Sequence, residues 1–131
     1  MRILITGGAR FIGKHLVKRL TVDHEVTVLD NFFTGDRIEF LGNVNVVNGD
    51  LLDAKLVNDV SDVDVIYHLA GVLGTHELFD NTMVAEDVNV KGTLIMLGAA
   101  RKYEAKFIFP SKPSIWLDPY TITKEAAERW I

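Results

Sequence analysis

The chain contains no cysteine in its 131 residues. That excludes disulfides, thiolate catalysis and cysteine-ligated zinc, and it suits a reducing compartment. Proline is scarce, and its three copies, Pro110, Pro113 and Pro119, mark a single late loop. No apolar run approaches the roughly 20 residues needed to span a bilayer. There is no excess of positive charge: the net charge of -4 offers no basic field, so a nucleic-acid partner is not expected. His15, His24, His68 and His76 never fall at a ligand-like spacing, and the His76-Glu77 pair has no further ligand nearby, so no metal is expected. His68, inside an apolar run, reads as a satisfied core histidine. The chain opens on a strand rather than a signal-peptide layout. Hydrophobic residues make up 48%, which argues against disorder. The expectation is one cytoplasmic domain that buries about two-thirds of the unfolded chain's surface.

The most informative stretch is Met1 to Leu20, MRILITGGARFIGKHLVKRL. Arg2 to Ile5 is a short apolar run suited to a buried parallel strand. Gly7, Gly8 and Gly13 follow, and Phe11, Ile12, Leu16, Val17 and Leu20 then recur at helical spacing. A strand, a glycine turn and a helix in that order point backbone N–H groups and the positive helix end at a pyrophosphate. Position directly after an N-terminal strand supplies the context such a glycine motif requires.

Further strands are expected at Glu25–Leu29 (ending on Asp30), Val44–Val47, Val63–Leu69 (running into Ala70-Gly71) and Lys106–Phe109. Their continuous apolar, β-branched character suits a sheet covered on both faces. Asn31–Gly35 reads as a turn and Asp36–Leu41 as a short helix ended by Gly42. A helix is expected at Leu51–Val60, with Leu52, Leu56 and Val60 on one side. A Gly- and Thr-containing loop runs to about Asp80. Asn81–Lys102 reads as one long helix carrying Val84, Val88, Leu94, Ile95 and Leu97, and a last helix runs from Pro119 through Tyr120 to Ile131. This β–α alternation, with right-handed crossovers, predicts a doubly wound α/β domain over 1–131 with helices on both faces of a parallel sheet in order 3-2-1-4-5. Ligands then belong at the C-terminal strand ends, where Gly7–Gly13, Asp30, Asp50, Ala70-Gly71 and Ser111 all fall.

Asp30 ends the second strand 17 residues after Gly13. An acid there accepts hydrogen bonds from an adenosine ribose and repels a 2′-phosphate, favouring NAD over NADP; its plainer role is a turn-forming aspartate. Asp50 either accepts from an adenine amino group or caps the following helix. Tyr120 and Lys124 stand four apart on one helix face. A nearby ammonium lowers a phenol's pKa, enabling tyrosine to trade protons with a sugar hydroxyl, although Tyr-x-x-x-Lys is also common on solvated helices. Ser111 either hydrogen-bonds substrate or tyrosine or caps its loop, and the roles of Lys112 and Ser114 beside it are not separated. Trp116 and Trp130 are candidates to cover a surface buried by more chain or by a partner.

Taken together, ITGGARFIG, VLDNFFTG, NGDLLD, IYHLAG, DVNVKGT, KFIFPS and PYTITKEAAE resemble the extended short-chain dehydrogenase/reductase family, specifically its NAD-dependent nucleotide-sugar epimerases and dehydratases. The resemblance covers essentially the whole chain. It implies that Gly7, Arg10, Phe11, Ile12 and Gly13 lie along the NAD pyrophosphate. Asp30 and Asn31 would hold the adenosine ribose, and Asp50 and Leu51 would flank adenine. Ala70 and Gly71 would approach the cofactor, with Asn89 bracing the fold beside it. Tyr120 would transfer protons, with Lys124 on the nicotinamide ribose and Ser111 on the substrate. The implied reaction takes a hydride from a carbon of a nucleotide sugar and returns it at another face or position. The implied partner is a second copy, through helices 81–102 and 119–131 with Ile122, Ala126 and Trp130 in the seam, or a complementing chain.

Three departures accompany the resemblance. Arg10 stands where the family has the middle glycine of T-G-x-x-G-x-x-G. The Ser-Ser/Thr-x-x-x-Tyr-Gly block reads Ser111-Lys112-Pro113-Ser114-Ile115-Trp116-Leu117, with a short loop to Tyr120. The family's sixth and seventh strands and sugar-nucleotide-binding part have no counterpart in these 131 residues. Two functions follow: an NAD-dependent enzyme on a nucleotide sugar, or a shortened module that holds NAD and relies on a partner.

Overall fold

The computed structural model describes residues 1–33, 44–73, 81–112 and 117–131. Among the described residues, five strands form one sheet: β1 (Arg2–Thr6), β2 (Glu25–Asp30), β3 (Val44–Asn48), β4 (Val65–His68) and β5 (Lys106–Ile108). All pair in parallel, in the order β3-β2-β1-β4-β5 expected from the alternation of strands and helices. Ile3 pairs with Val26 and Val65, and Thr6 with Leu29 and His68, so β1 is the central strand and its C-terminal end is flanked by the ends of β2 and β4.

Side chains of β1 alternate between two cores because successive Cβ atoms leave opposite faces of a strand. Ile3 and Ile5 join Val26, Val28 and Val65 beneath α1 (Phe11–Leu20), which contributes Val17. Leu4 joins Leu29, Ile66, Leu51, Val57 and Met96 on the other face. That face is covered by α2 (Ala54–Val60) and α4 (Gly92–Lys102). Truncating one fully buried side chain such as Leu4 or Ile66 to alanine should cost about 2–5 kcal/mol. The sheet's edges, β3 and β5, are more accessible.

Several element boundaries differ from the sequence reading. Helix α2 starts at Ala54 rather than Leu51, because Asp53 caps it by accepting from Lys55 N and Leu56 N. Asp50 is therefore not the cap of that helix; its Oδ1 accepts from Leu52 N in the turn before it. Strand β4 is shorter than the apolar run 63–69 because Val63 N bonds Ser61 O outside the ladder.

The long helix also differs. It begins as α3 (Thr82–Ala85), widens into a π-helical segment at Glu86–Lys91 and continues as α4. Such widening inserts a residue and turns a side chain out of the helical register; here it buries Asn89 and Val90. The last helix, α5 (Pro119–Glu128), ends before Ile131. The short helix at 36–41, the His76-Glu77 pair, Ser114 and Trp116 lie outside the described residues.

Candidate active site

The turn after β1 is built on close backbone approaches. Gly7 has a φ of +69°, and a Cβ there would stand 2.6 Å from Ala70 N. A Cβ on Gly13 would stand 2.5 Å from Gly7 O, so α1 can start against the turn only with glycine. Arg10 takes the N-cap position in extended conformation, without a side-chain cap on the helix. The first N–H groups of α1 are thus left to a ligand or solvent, at the positive helix end. Phe11 and Ile12 beside them are 78% and 64% exposed. Phe33 and Leu73, at the ends of the neighbouring strands, are exposed as well.

Asp30 reaches back to this turn. Its Oδ2 accepts from Ala9 N at 2.9 Å and its Oδ1 from Phe32 N at 2.9 Å. Each oxygen keeps a second acceptor direction. Asn31 Oδ1 accepts from Phe33 N, and its Nδ2 lies 3.5 Å from Asp50 Oδ2, so Asn31 and Asp50 meet across the ends of β2 and β3. Leu51 is buried in the core against Gly92, leaving its backbone at the edge. Ala70 N donates to Thr6 Oγ1, and Gly71 lies against Asn89.

On the α5 side of the site, Asp118 caps the helix by accepting from Thr121 N at 2.6 Å. That bond, aided by Lys112 at 3.7 Å, holds the Asp118 carboxyl below its usual range. Tyr120 and Lys124 share one side of the helix but not one environment. Burial, with help from the Asp118 charge, pushes the Tyr120 phenol up. Lys124 is buried, its Nζ 3.4 Å from the centre of the Phe109 ring, and burial pulls it down to about 8 against an opposing contribution from Glu128. The expected lowering of the phenol by Lys124 is thus corrected: the ammonium rests on Phe109, and burial dominates at Tyr120. Lys112 Nζ lies 4.8 Å from the Tyr120 ring centre and is bonded to the Thr121 hydroxyl. Ser111 is not brought to Tyr120 by a hydrogen bond. Its hydroxyl donates to Glu128 Oε2 at 3.0 Å, about two helical turns along α5.

Asn89 connects the two sides. Its Oδ1 accepts from Val72 N at 2.8 Å, while its Nδ2 donates to Val72 O and to Thr123 Oγ1 at 3.0 Å. Behind it lies a buried group that includes residues the sequence did not single out. His68 bonds Thr6 through Nδ1 at 2.8 Å and Thr93 through Nε2 at 3.0 Å, between Phe107 and Phe109. With both ring nitrogens bonded and no exposure, His68 is the satisfied core histidine its strand suggested. Burial first, then the Lys124 charge, lowers it to about 3. The pairing was findable only in part: Thr6 and His68 are cross-strand partners, and Thr93 follows Asn89 by one helical spacing.

The sequence profile of the NAD dependent epimerase/dehydratase family matches residues 3–127. The chain belongs to this family. Among curated members, it is 38% identical over 135 residues to UDP-glucuronic acid decarboxylase 1 of Xenopus tropicalis, covering 98% of this chain and 31% of that protein. It is 37% identical to UDP-N-acetyl-alpha-D-glucosaminuronate decarboxylase of Bacillus cytotoxicus, over 88% of this chain and 37% of that protein. Among solved structures of the family, UDP-glucose 4-epimerase of Thermus thermophilus, in complex with NAD, superposes with a TM-score of 0.88 at 29% identity. That match covers 99% of this chain and 49% of the other. The chain thus spans between about a third and a half of these family members. The family's dependence on NAD agrees with a glycine turn, an uncapped helix N-terminus and an acid at the end of β2 on one edge. No helix among the described residues is long and apolar enough to cross a membrane.

Proposed function

We propose that this chain is the cofactor-binding part of an NAD-dependent enzyme acting on a nucleotide sugar by transient hydride transfer, with Tyr120 as acid/base. One observation carries the reading: Asn89 joins the strand edge that bears the glycine turn to the helix that bears Tyr120 and Lys124. Gly7, Arg10, Phe11, Ile12 and Gly13 would lie along the pyrophosphate, with backbone N–H groups and the helix dipole as the attraction. Asp30 would accept from the adenosine ribose with its remaining lone pairs, and Asn31 would assist. Asp50 and the Leu51 backbone would flank adenine, and Ala70 and Gly71 would border the nicotinamide side. Bound NAD supplies the hydride acceptor and donor. Tyr120, protonated at neutral pH, gives its proton to the substrate oxygen. When it takes one instead, the ammonium groups of Lys124, one turn along, and of Lys112, 4.8 Å from the ring centre, are the charges that would stabilise its phenolate. Ser111, engaged with Glu128, would have to change partner to reach substrate. That engagement favours the second reading, a module that holds NAD while another polypeptide segment completes the chemistry.

Exposed Met83 on α3, Ile122 on α5 and Trp130 just past α5 support a self-associating face, which sedimentation velocity would test. Calorimetric titration of NAD and NADP into the chain and into Arg10→Gly tests the cofactor reading. NAD binding with NADP much weaker supports it; no heat with either protein sinks it. Conversion of UDP-glucose or UDP-glucuronic acid, lost in Tyr120→Phe at unchanged NAD affinity, supports the enzyme. NAD binding without turnover supports the module.

A further inference from the structure

The hydrogens around His68 can be assigned by counting. The single hydroxyl hydrogen of Thr93 goes to Asn89 O at 2.6 Å. Thr93 Oγ1 must therefore accept at its 3.0 Å contact with His68, so Nε2 carries the ring hydrogen. A neutral ring then leaves Nδ1 bare, and it accepts the Thr6 hydroxyl hydrogen at 2.8 Å. Thr6 Oγ1 in turn accepts from Ala70 N at 3.2 Å. The donations run in one direction: Ala70 N to Thr6, Thr6 to His68, His68 to Thr93, Thr93 to the Asn89 carbonyl. Asn89 continues outward through its side chain to Thr123, whose hydroxyl donates to Pro119 O and lies 3.1 Å from Tyr120 O. His68, Asn89, Thr6 and Thr93 are each at most 1% exposed, so no solvent substitutes for a missing partner. Among the described residues, Lys124 is the charged side chain whose field reaches the ring, and it opposes a second ring proton.

We infer that His68 is a positioning residue: as a neutral Nε2–H imidazole it fixes the π-helical segment through Thr93, and thereby sets where Asn89 holds the Tyr120 and Lys124 helix relative to the glycine turn. Its role in cofactor binding rests on the NAD reading above. The link through Thr93 bears on the segment because the hydroxyl that accepts from His68 is the one that donates to Asn89 O, and without the His68 donor its buried oxygen is left unsatisfied where the segment is held. The link through Thr6 holds only the two strand ends together.

Two substitutions separate these links. His68→Gln places an amide N–H near the former Nε2 and can keep Thr93, while His68→Asn places an amide oxygen near the former Nδ1 and can keep Thr6. The 131-residue chain and both variants are compared by circular dichroism, NAD titration and NMR of the Asn89 side-chain amide. The expected result is NAD affinity within about threefold of the parent for His68→Gln and at least tenfold weaker for His68→Asn. The Asn89 amide resonances should stay near their parent positions in the glutamine variant and move in the asparagine variant. Nitrogen-15 spectra of the parent at neutral pH should show a protonated Nε2 and a bare Nδ1. Equal behaviour of the two variants, or the opposite tautomer, overturns the inference. If the parent binds no NAD, the cofactor reading fails by itself, and the Asn89 resonances decide this inference alone. If one variant does not fold, the tautomer and the other variant's Asn89 resonances decide it.

Discussion

Acid should unfold this chain partly through one buried ring. His68 titrates near 6.5 when free and near 3 in the fold, so between these values the unfolded chain binds a proton that the folded chain refuses. Stability therefore falls as pH drops below 6.5, by up to about 1.4 kcal/mol per pH unit once the unfolded imidazole is fully charged. Between pH 7.5 and 5.0 the loss from this residue integrates to about 2 kcal/mol. That figure hardly depends on the folded value, because the folded ring stays neutral throughout the window. Urea unfolding of the parent and of His68→Gln, followed by circular dichroism at the two pH values with slopes compared, isolates the contribution. The parent should lose about 2 kcal/mol more than the variant on acidification. Losses that agree within about 0.5 kcal/mol would refute the assignment of a buried, neutral His68.

Lys124 gives a second linkage with a different window. Its folded value near 8 lies below the free value of 10.5, so stability should rise as pH climbs from 8 to 10.5 and carry the full penalty at neutral pH. Lys124→Met should stabilise the chain by about 1–3 kcal/mol at pH 7 and abolish that rise, as thermal melts at pH 7 and 10 would report. Gly7→Ala should cost at least about 2 kcal/mol, since it combines a positive φ with a 2.6 Å approach to Ala70 N, and NAD titration should show no binding. Asp53→Ala removes the cap of α2 and should cost about 1 kcal/mol in urea unfolding without changing NAD affinity.

The sequence by itself determined the strand order, the two-sided sheet and the edge on which the candidate residues collect. Apolar runs such as Ile3–Ile5 and Val65–Ile66 have to be covered on both faces, and the glycines at 7 and 13 permit a turn that other residues would obstruct. These are local patterns with one compact solution, and they were legible because each is written within a few neighbouring residues. Only the tertiary structure decided how the side chains at that edge are partnered. It put Lys124 over Phe109 instead of beside the phenol, gave Ser111 to Glu128, and widened the helix at Asn89 so that its amide reaches Val72 and Thr123. It also closed Thr6, His68 and Thr93 into one buried chain. Those choices depend on contacts between residues far apart in sequence, where burial and the need to satisfy every buried polar group outweigh helical spacing.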